Sequence, residues 1–129
     1  MNRALVIAIV DDDDMVRTAT RGLVESFGYN VETFDSAEAF LGSEWPRKAY
    51  CLIADVRMPG MSGPDLRKHL VNSGIDIPVI FITAFPNRAL RERVLKAGAV
   101  AYLTKPFDRA VLLESIQQAI GDDDHGTSS

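Results

Sequence analysis

The sequence holds one cysteine, one tryptophan and no apolar run longer than Ala4–Val10. A lone Cys51 cannot close an internal disulfide, which agrees with a reducing compartment. A run that short cannot cross a bilayer as a helix. It follows Arg3 as the core of a signal peptide would, but Asp11–Asp14 stand where small residues would be needed for cleavage. The expectation is a cytoplasmic protein with no membrane contact. Basic residues are also in deficit, 14 Lys and Arg against 18 Asp and Glu, for a net charge of −4. That argues against a basic face, so direct nucleic-acid contact is not expected. The acidic balance suits a pocket that holds a cation. The sole low-complexity stretch is Asp122–Ser129, expected to be a flexible polar tail or the start of a linker.

What is present is ordinary for a globular domain, with 47% apolar and 25% charged residues in a chain of 129. One core fits that length, and a single domain is expected over residues 1–121. Leu5–Val10, Tyr50–Ala54, Ile77–Ile82 and Ala99–Leu103 are short, apolar and rich in β-branched or aromatic residues, like strands buried on both faces. Asn30–Phe34 is more polar and reads as a strand nearer an edge.

Helical spacing fills the gaps. Met15, Val16, Ala19, Leu23, Val24 and Phe27 form an apolar stripe, with Arg17, Arg21 and Glu25 on the other side and Gly28 as the stop. Asp35 or Ser36 could cap a short helix over Ser36–Leu41. Leu66 and Leu70 mark a third helix, ending at Asn72–Gly74. Leu90, Val94 and Ala97 mark a fourth, closed by Gly98. Leu112, Ser115, Ile116 and Ala119 mark a fifth, closed by Gly121. The order is (βα)5, which predicts an α/β fold with a doubly wound, five-stranded parallel sheet. Such sheets commonly run 2-1-3-4-5, the flavodoxin-like order.

Ligands of such sheets bind at the carboxyl ends of the strands. Here those ends carry Asp11–Asp14, Asp55, Thr83-Ala84 and Thr104-Lys105-Pro106. Carboxylates from neighbouring strands repel one another, and a cation makes the cluster tolerable. Hard oxygen ligands with room for water suit Mg²⁺. That ion attracts a phosphoryl group, and an ammonium and a hydroxyl opposite it would complete a charge clamp. Asp55 stands alone at its strand end, before the irregular Met58-Pro59-Gly60, and is the best candidate for a nucleophile.

Four stretches then carry a resemblance: Val10-Asp11-Asp12, Asp55-Val56-Arg57-Met58-Pro59-Gly60-Met61-Ser62-Gly63, Thr83-Ala84 and Lys105-Pro106-Phe107. In this order and at strand ends, they resemble the receiver domains of bacterial response regulators (CheY-like) from about Leu5 to Ile120. The second stretch, with Lys96–Phe107, is most similar to receivers of nitrogen-fixation-type (FixJ-like) transcriptional regulators. The resemblance implies a two-component signalling switch rather than an enzyme acting on other substrates. Asp55 would accept a phosphoryl group from a histidine kinase or phosphotransfer protein. Asp12, Asp55 and the backbone carbonyl of Arg57 would hold Mg²⁺ or Mn²⁺, with Asp11 acting through a water. Lys105, before a cis bond to Pro106, and Thr83 would bind the phosphoryl oxygens. Tyr102 would then turn inward and alter the surface of helix four, strand five and helix five. The output would be a protein target, a phosphorylation-dependent homodimer or a C-terminal output domain of a longer regulator.

Two positions depart from chemotaxis-type receivers. Arg57 stands where Asn is common, and Phe85 replaces a more polar residue. Both flank the path of a hydrolytic water, and an apolar Phe85 cannot orient one, so slow dephosphorylation is expected. Pro86-Asn87 stiffens the same loop. The rival functions are a Mg²⁺-dependent phosphatase of the haloacid-dehalogenase kind, using Asp11-x-Asp13, and an interaction module that has lost its chemistry. The first leaves Asp55–Pro59 unexplained, and the second leaves five intact site residues unexplained. Asp13 and Asp14 are read as helix-capping residues, Cys51 as core packing, and His69 and His125 as surface residues.

Overall fold

A computed structural model describes the backbone of residues 5–128 and the side chains of residues 5–121. The strands are β1 (Val6–Val10), β2 (Asn30–Phe34), β3 (Cys51–Asp55), β4 (Val79–Thr83) and β5 (Ala101–Thr104). The α-helices are α1 (Asp14–Ser26), α2 (Ala37–Leu41), α3 (Gly63–Asn72), α4 (Arg88–Lys96) and α5 (Arg109–Ser128). All strand pairs are parallel, in the order β2-β1-β3-β4-β5. The (βα)5 expectation and the strand order both hold.

Alternation along the strands divides the core between two faces of the sheet. Ala8, Val10, Leu52, Ala54 and Phe81 point to the face covered by Phe40, Leu66, Leu70 and Val94 of α2, α3 and α4. Ile7, Ile9, Ile53, Ile80 and Ile82 point the other way, onto Val24 of α1 and Leu112 and Ile116 of α5. β3 and β4 are buried at every residue, as near-continuous apolar strands require.

Three boundaries differ from the sequence reading. β4 begins after Pro78, which has no N–H for the ladder, rather than at Ile77. β5 is shifted to Ala101–Thr104 and lies at an edge, so Tyr102 alone of its residues is buried. α5 runs through Gly121 to Ser128. The glycines that turn the chain with positive φ are Gly28, Gly60, Gly74 and Gly98; Gly121 does not, so nothing ends the helix there. The tail expected over 122–129 has its side chains outside the described residues. Among the described residues no helix is long and apolar enough to cross a membrane.

One close approach matters for the rim. Gly63 opens α3, and its N–H donates to the Val56 carbonyl at 3.0 Å. A Cβ at Gly63 would collide with the Asp55 carbonyl oxygen and meet the Phe81 ring at 3.2 Å. Gly22, exposed on α1, has open space instead. Gly63→Ala should therefore lower stability by about 1–3 kcal/mol, while Gly22→Ala should raise it by about 0.5–1 kcal/mol. Urea unfolding of the two variants checks both signs.

Candidate functional site

The register decides which residues share a rim. Val10 lies beside Ala54, and Thr83 beside Thr104, so Asp11, Asp55, Thr83 and Lys105 emerge together at the carboxyl edge. Lys105 is tied to that edge by its own N–H, which donates to the Thr83 carbonyl at 2.7 Å. The bond to Pro106 is cis, as the resemblance implies.

The side chains converge. Lys105 Nζ lies 3.2 Å from Asp11 Oδ2 and 3.4 Å from Asp55 Oδ2. Carboxylate oxygens of Asp11, Asp12 and Asp55 all lie within 4.8 Å of one another. Asp11 is fully buried and held on both oxygens, by Lys105 and by the Asp13 N–H at 2.9 Å. Asp12 is exposed, and the Asp55 side chain is only 9% exposed. A cleft of about 260 Å³ opens over them, lined also by Asp13, Arg57, Ala84 and Phe85. Arg57 stacks its guanidinium on the Phe85 ring, 4.8 Å from the centroid, and both residues line that cleft.

Three carboxylates meet around one ammonium, and Asp55 is both desolvated and beside a second acid. Burial first, and the Asp11 carboxylate second, push its pKa from the ordinary 3.8 up to about 6, although Lys105 pulls the other way. This donor set, all hard oxygen and under-neutralised, fits a small divalent cation. Cys51 takes no part: it is buried in β3, and burial pushes its thiol up to about 12.

Thr83 and Tyr102, to which the resemblance gives the switching role, are each hydrogen-bonded to backbone. Thr83 is buried, and its hydroxyl accepts from the Phe85 N–H at 3.0 Å. The Tyr102 ring is inward, 7% exposed, and its hydroxyl accepts from the Asn87 N–H at 3.0 Å. Asn87 in turn caps α4, its Oδ1 accepting from the Leu90 N–H. Asp13 likewise caps α1 by accepting from the Val16 N–H. Asp13 is thus committed to the first turn of α1 and Asp11 to Lys105.

Sequence reasoning missed three supports of this site. Arg17, placed on the outer face of α1, donates to the Asp11 carbonyl at 2.8 Å and pairs with Asp14. Glu38 of α2 accepts from the Met61 N–H at 3.2 Å, pinning the loop after β3. Asn87 links Tyr102 to α4. The first two are contacts between side chains and distant or neighbouring backbone, for which periodicity carries no signal. The third had one: Asn before a helical stripe is an N-cap pattern.

Comparison with known proteins fits this geometry. Residues 7–117 match the response regulator receiver domain. The chain belongs to the response regulator receiver family. This receiver is 44% identical over 119 residues to the response regulator protein TodT of Pseudomonas putida, covering 92% of this chain and 52% of that protein. It is 38% identical over 121 residues to the transcriptional regulatory protein FixJ of Azorhizobium caulinodans, covering 94% and 57%. Among solved structures, FixJ-N superposes with a TM-score of 0.83 at 36% identity, covering 93% of this chain and 96% of that one. The response regulator StyR gives 0.86 at 40%, covering 98% and 64%. The receiver thus spans about half the length of the curated relatives it matches.

An acid whose pKa rises on folding binds its proton more tightly in the folded state, so ionising Asp55 costs stability. That cost is absent below about 4 and fully present above about 6. In buffer with a chelator at pH 7.5, Asp55→Asn should raise stability by about 1–2 kcal/mol, or about 2–6 °C in Tm. The advantage should vanish as pH falls toward 4. Thermal melts of both proteins across that range check the sign.

Proposed function

We propose that this receiver takes a phosphoryl group onto Asp55 from a histidine kinase or phosphotransfer protein and converts it into a changed protein-interaction surface at α4, β5 and α5. The observation that carries this is the Lys105 ammonium 3.4 Å from Asp55 Oδ2, inside a cleft where three carboxylates meet. In the transfer, an Asp55 oxygen bonds to phosphorus as the bond to the donor's imidazole nitrogen breaks. The imidazole keeps the electron pair and takes up a proton. Asp55 must be ionised to attack, which a pKa of about 6 allows at neutral pH.

Asp12, Asp55 and the Arg57 carbonyl would hold Mg²⁺ or Mn²⁺, with Asp11 acting through a water. When bound, the ion neutralises charge on the phosphoryl oxygens. Lys105 neutralises the same group from the protein side. It already lies against Asp55, so its charge is preorganised rather than recruited. The Thr83 hydroxyl, now an acceptor for the Phe85 N–H, keeps its own proton to donate to the phosphoryl group. That bond would draw in the loop that ends at Asn87, and with it the cap of α4.

A switch from mostly inactive to mostly active needs roughly 5 kcal/mol of preference between two states. One charge-assisted bond from Lys105 and one hydrogen bond from Thr83 are of about that order. Downstream, TodT and FixJ are named as a response regulator and a transcriptional regulator. They support an output through a target protein, a homodimer or an attached output domain, with any nucleic-acid contact made outside this domain.

Incubation with Mg²⁺ and acetyl phosphate should add one phosphoryl group by mass spectrometry. Asp55→Asn should abolish that gain, and Lys105→Ala should slow it by about 10–100-fold. Labelling that survives Asp55→Asn would place the chemistry elsewhere.

The phosphoryl group should also be long-lived. Phe85 has no group to orient a hydrolytic water, and its stack with Arg57 narrows the approach. Loss of label over many minutes is expected, and Phe85→Gln should speed that loss about tenfold. Loss within seconds from the unaltered chain, followed by the decay of labelled mass, would contradict the role given to Phe85.

A further inference from the structure

An apolar concavity lies away from the cleft over Asp55, between α3 and α4. It encloses about 500 Å³, and its accessible apolar lining is Pro64 and Val71 of α3 and Ala97 at the end of α4, over the buried Phe81 and Val94. That is the volume at which small-molecule pockets are found. Its rim is basic: Arg67 and Lys68 rise from α3 and Arg93 from α4, against one carboxylate, Asp65. The chain carries a net charge of −4, so a groove rimmed by three cations and one carboxylate runs against its overall balance.

The cations are uncommitted. Among the described residues no carboxylate forms an ion pair with Arg67, Lys68 or Arg93, and none of their side chains makes a hydrogen bond. Arg67 is nonetheless placed rather than loose. It is half-buried, and its guanidinium lies over Gly98 at the end of α4, where a Cβ would come within 2.8 Å of Nη2. Guanidinium groups present paired donors that match a carboxylate. The floor beneath them is hydrocarbon.

We infer that the α3–α4 groove binds an amphipathic organic carboxylate, its acid group on Arg67 and Arg93 and its apolar end on Val71 and Ala97. The two halves of the site make different demands, and the ligand must meet both. A purely apolar molecule would leave the guanidinium groups without a partner, and a small inorganic anion would leave the floor unfilled. This site shares no lining residue with the cleft over Asp55. It therefore stands or falls independently of the phosphoryl chemistry.

The test is titration of the full chain with 4-phenylbutyrate and octanoate, read by backbone amide NMR, with the uncharged 4-phenylbutanol as control. Expected are saturable shifts at Arg67, Val71, Arg93 and Ala97, with a Kd of order 0.1–1 mM. The paired change Arg67→Gln and Arg93→Gln should weaken binding at least about tenfold. Ala97→Trp, which fills the groove from its exposed wall, should abolish it while leaving acetyl phosphate labelling of Asp55 intact. Absence of saturation by either acid overturns the inference. So does equal binding of the alcohol, or binding that the paired change leaves untouched. Capture of an acidic helical peptide without either small acid would also overturn it, in favour of a peptide groove.

Discussion

The Lys105 ammonium wedged between Asp11 and Asp55 is the contact on which the rim depends. Two carboxylates about 4–5 Å apart repel by roughly 3–4 kcal/mol at an effective dielectric of 20. Asp12 adds a third, and one lysine cannot neutralise all three. The fold nevertheless forces them together. β1 and β3 are neighbours, so the residues that follow Val10 and Ala54 must emerge side by side. Both strands are buried on both faces, which leaves them no freedom to splay apart. The approach of α3 through Gly63 fixes the Asp55 backbone from a third direction. The cost of crowding acids is thus borne by the hydrophobic sheet, and what it yields is a site whose electrostatics improve when a cation or a phosphoryl-bound cation arrives.

The same rigidity explains how a local event could travel. Lys105 is hydrogen-bonded through its N–H to Thr83, and Thr83 holds the Phe85 N–H through its hydroxyl. Two residues on, Asn87 gives its N–H to Tyr102 and its side chain to the first turn of α4. Each link is a backbone group that must be satisfied by something. A phosphoryl group claiming the Thr83 hydroxyl would change one bond in this series, and the neighbours would have to rearrange rather than stretch. Tyr102 is buried and bonded to the Asn87 N–H, so on the proposed reading it acts as a latch on the cap of α4.

The fold was legible because each strand carried its own signature. Ile7, Ile9, Ile53 and Ile80 alternate with Ala8, Val10, Leu52 and Ala54, and that double-sided burial is what a central parallel strand demands. The rim was legible because the chemistry sits where strands end, a position that hydrophobic pattern locates within a residue or two. Edges and ends were harder. β5 looks apolar enough to be central, yet edge position is a property of strand order, not of its residues. Gly121 looks like a stop, but a glycine ends a helix only where the chain after it turns, and that turn is decided by tertiary contacts. Arg17 and Glu38 were illegible for a related reason. Each reaches a backbone group brought close by folding, and neither distance is written in the spacing of residues.

Charge is distributed over this molecule with two opposite imbalances, and both meet at β4. Excess acid gathers at the rim beside Thr83, and unpaired base gathers over Phe81, two residues earlier on the same strand. Residues two apart on a strand face the same side. Phe81 and Thr83 therefore both point toward the layer that contains α4. A ligand seated on Val71 and Ala97 would press on α4 from one side, while a phosphoryl group bound by Thr83 would pull on its cap from the other. If the two positions of α4 differ in affinity for the groove ligand, linkage makes the effect mutual: the factor by which phosphorylation alters that affinity is the factor by which the ligand alters phosphorylation. A receiver built this way could weigh a chemical signal against a phosphoryl signal without a second domain, because one helix is held at both ends of the same strand face.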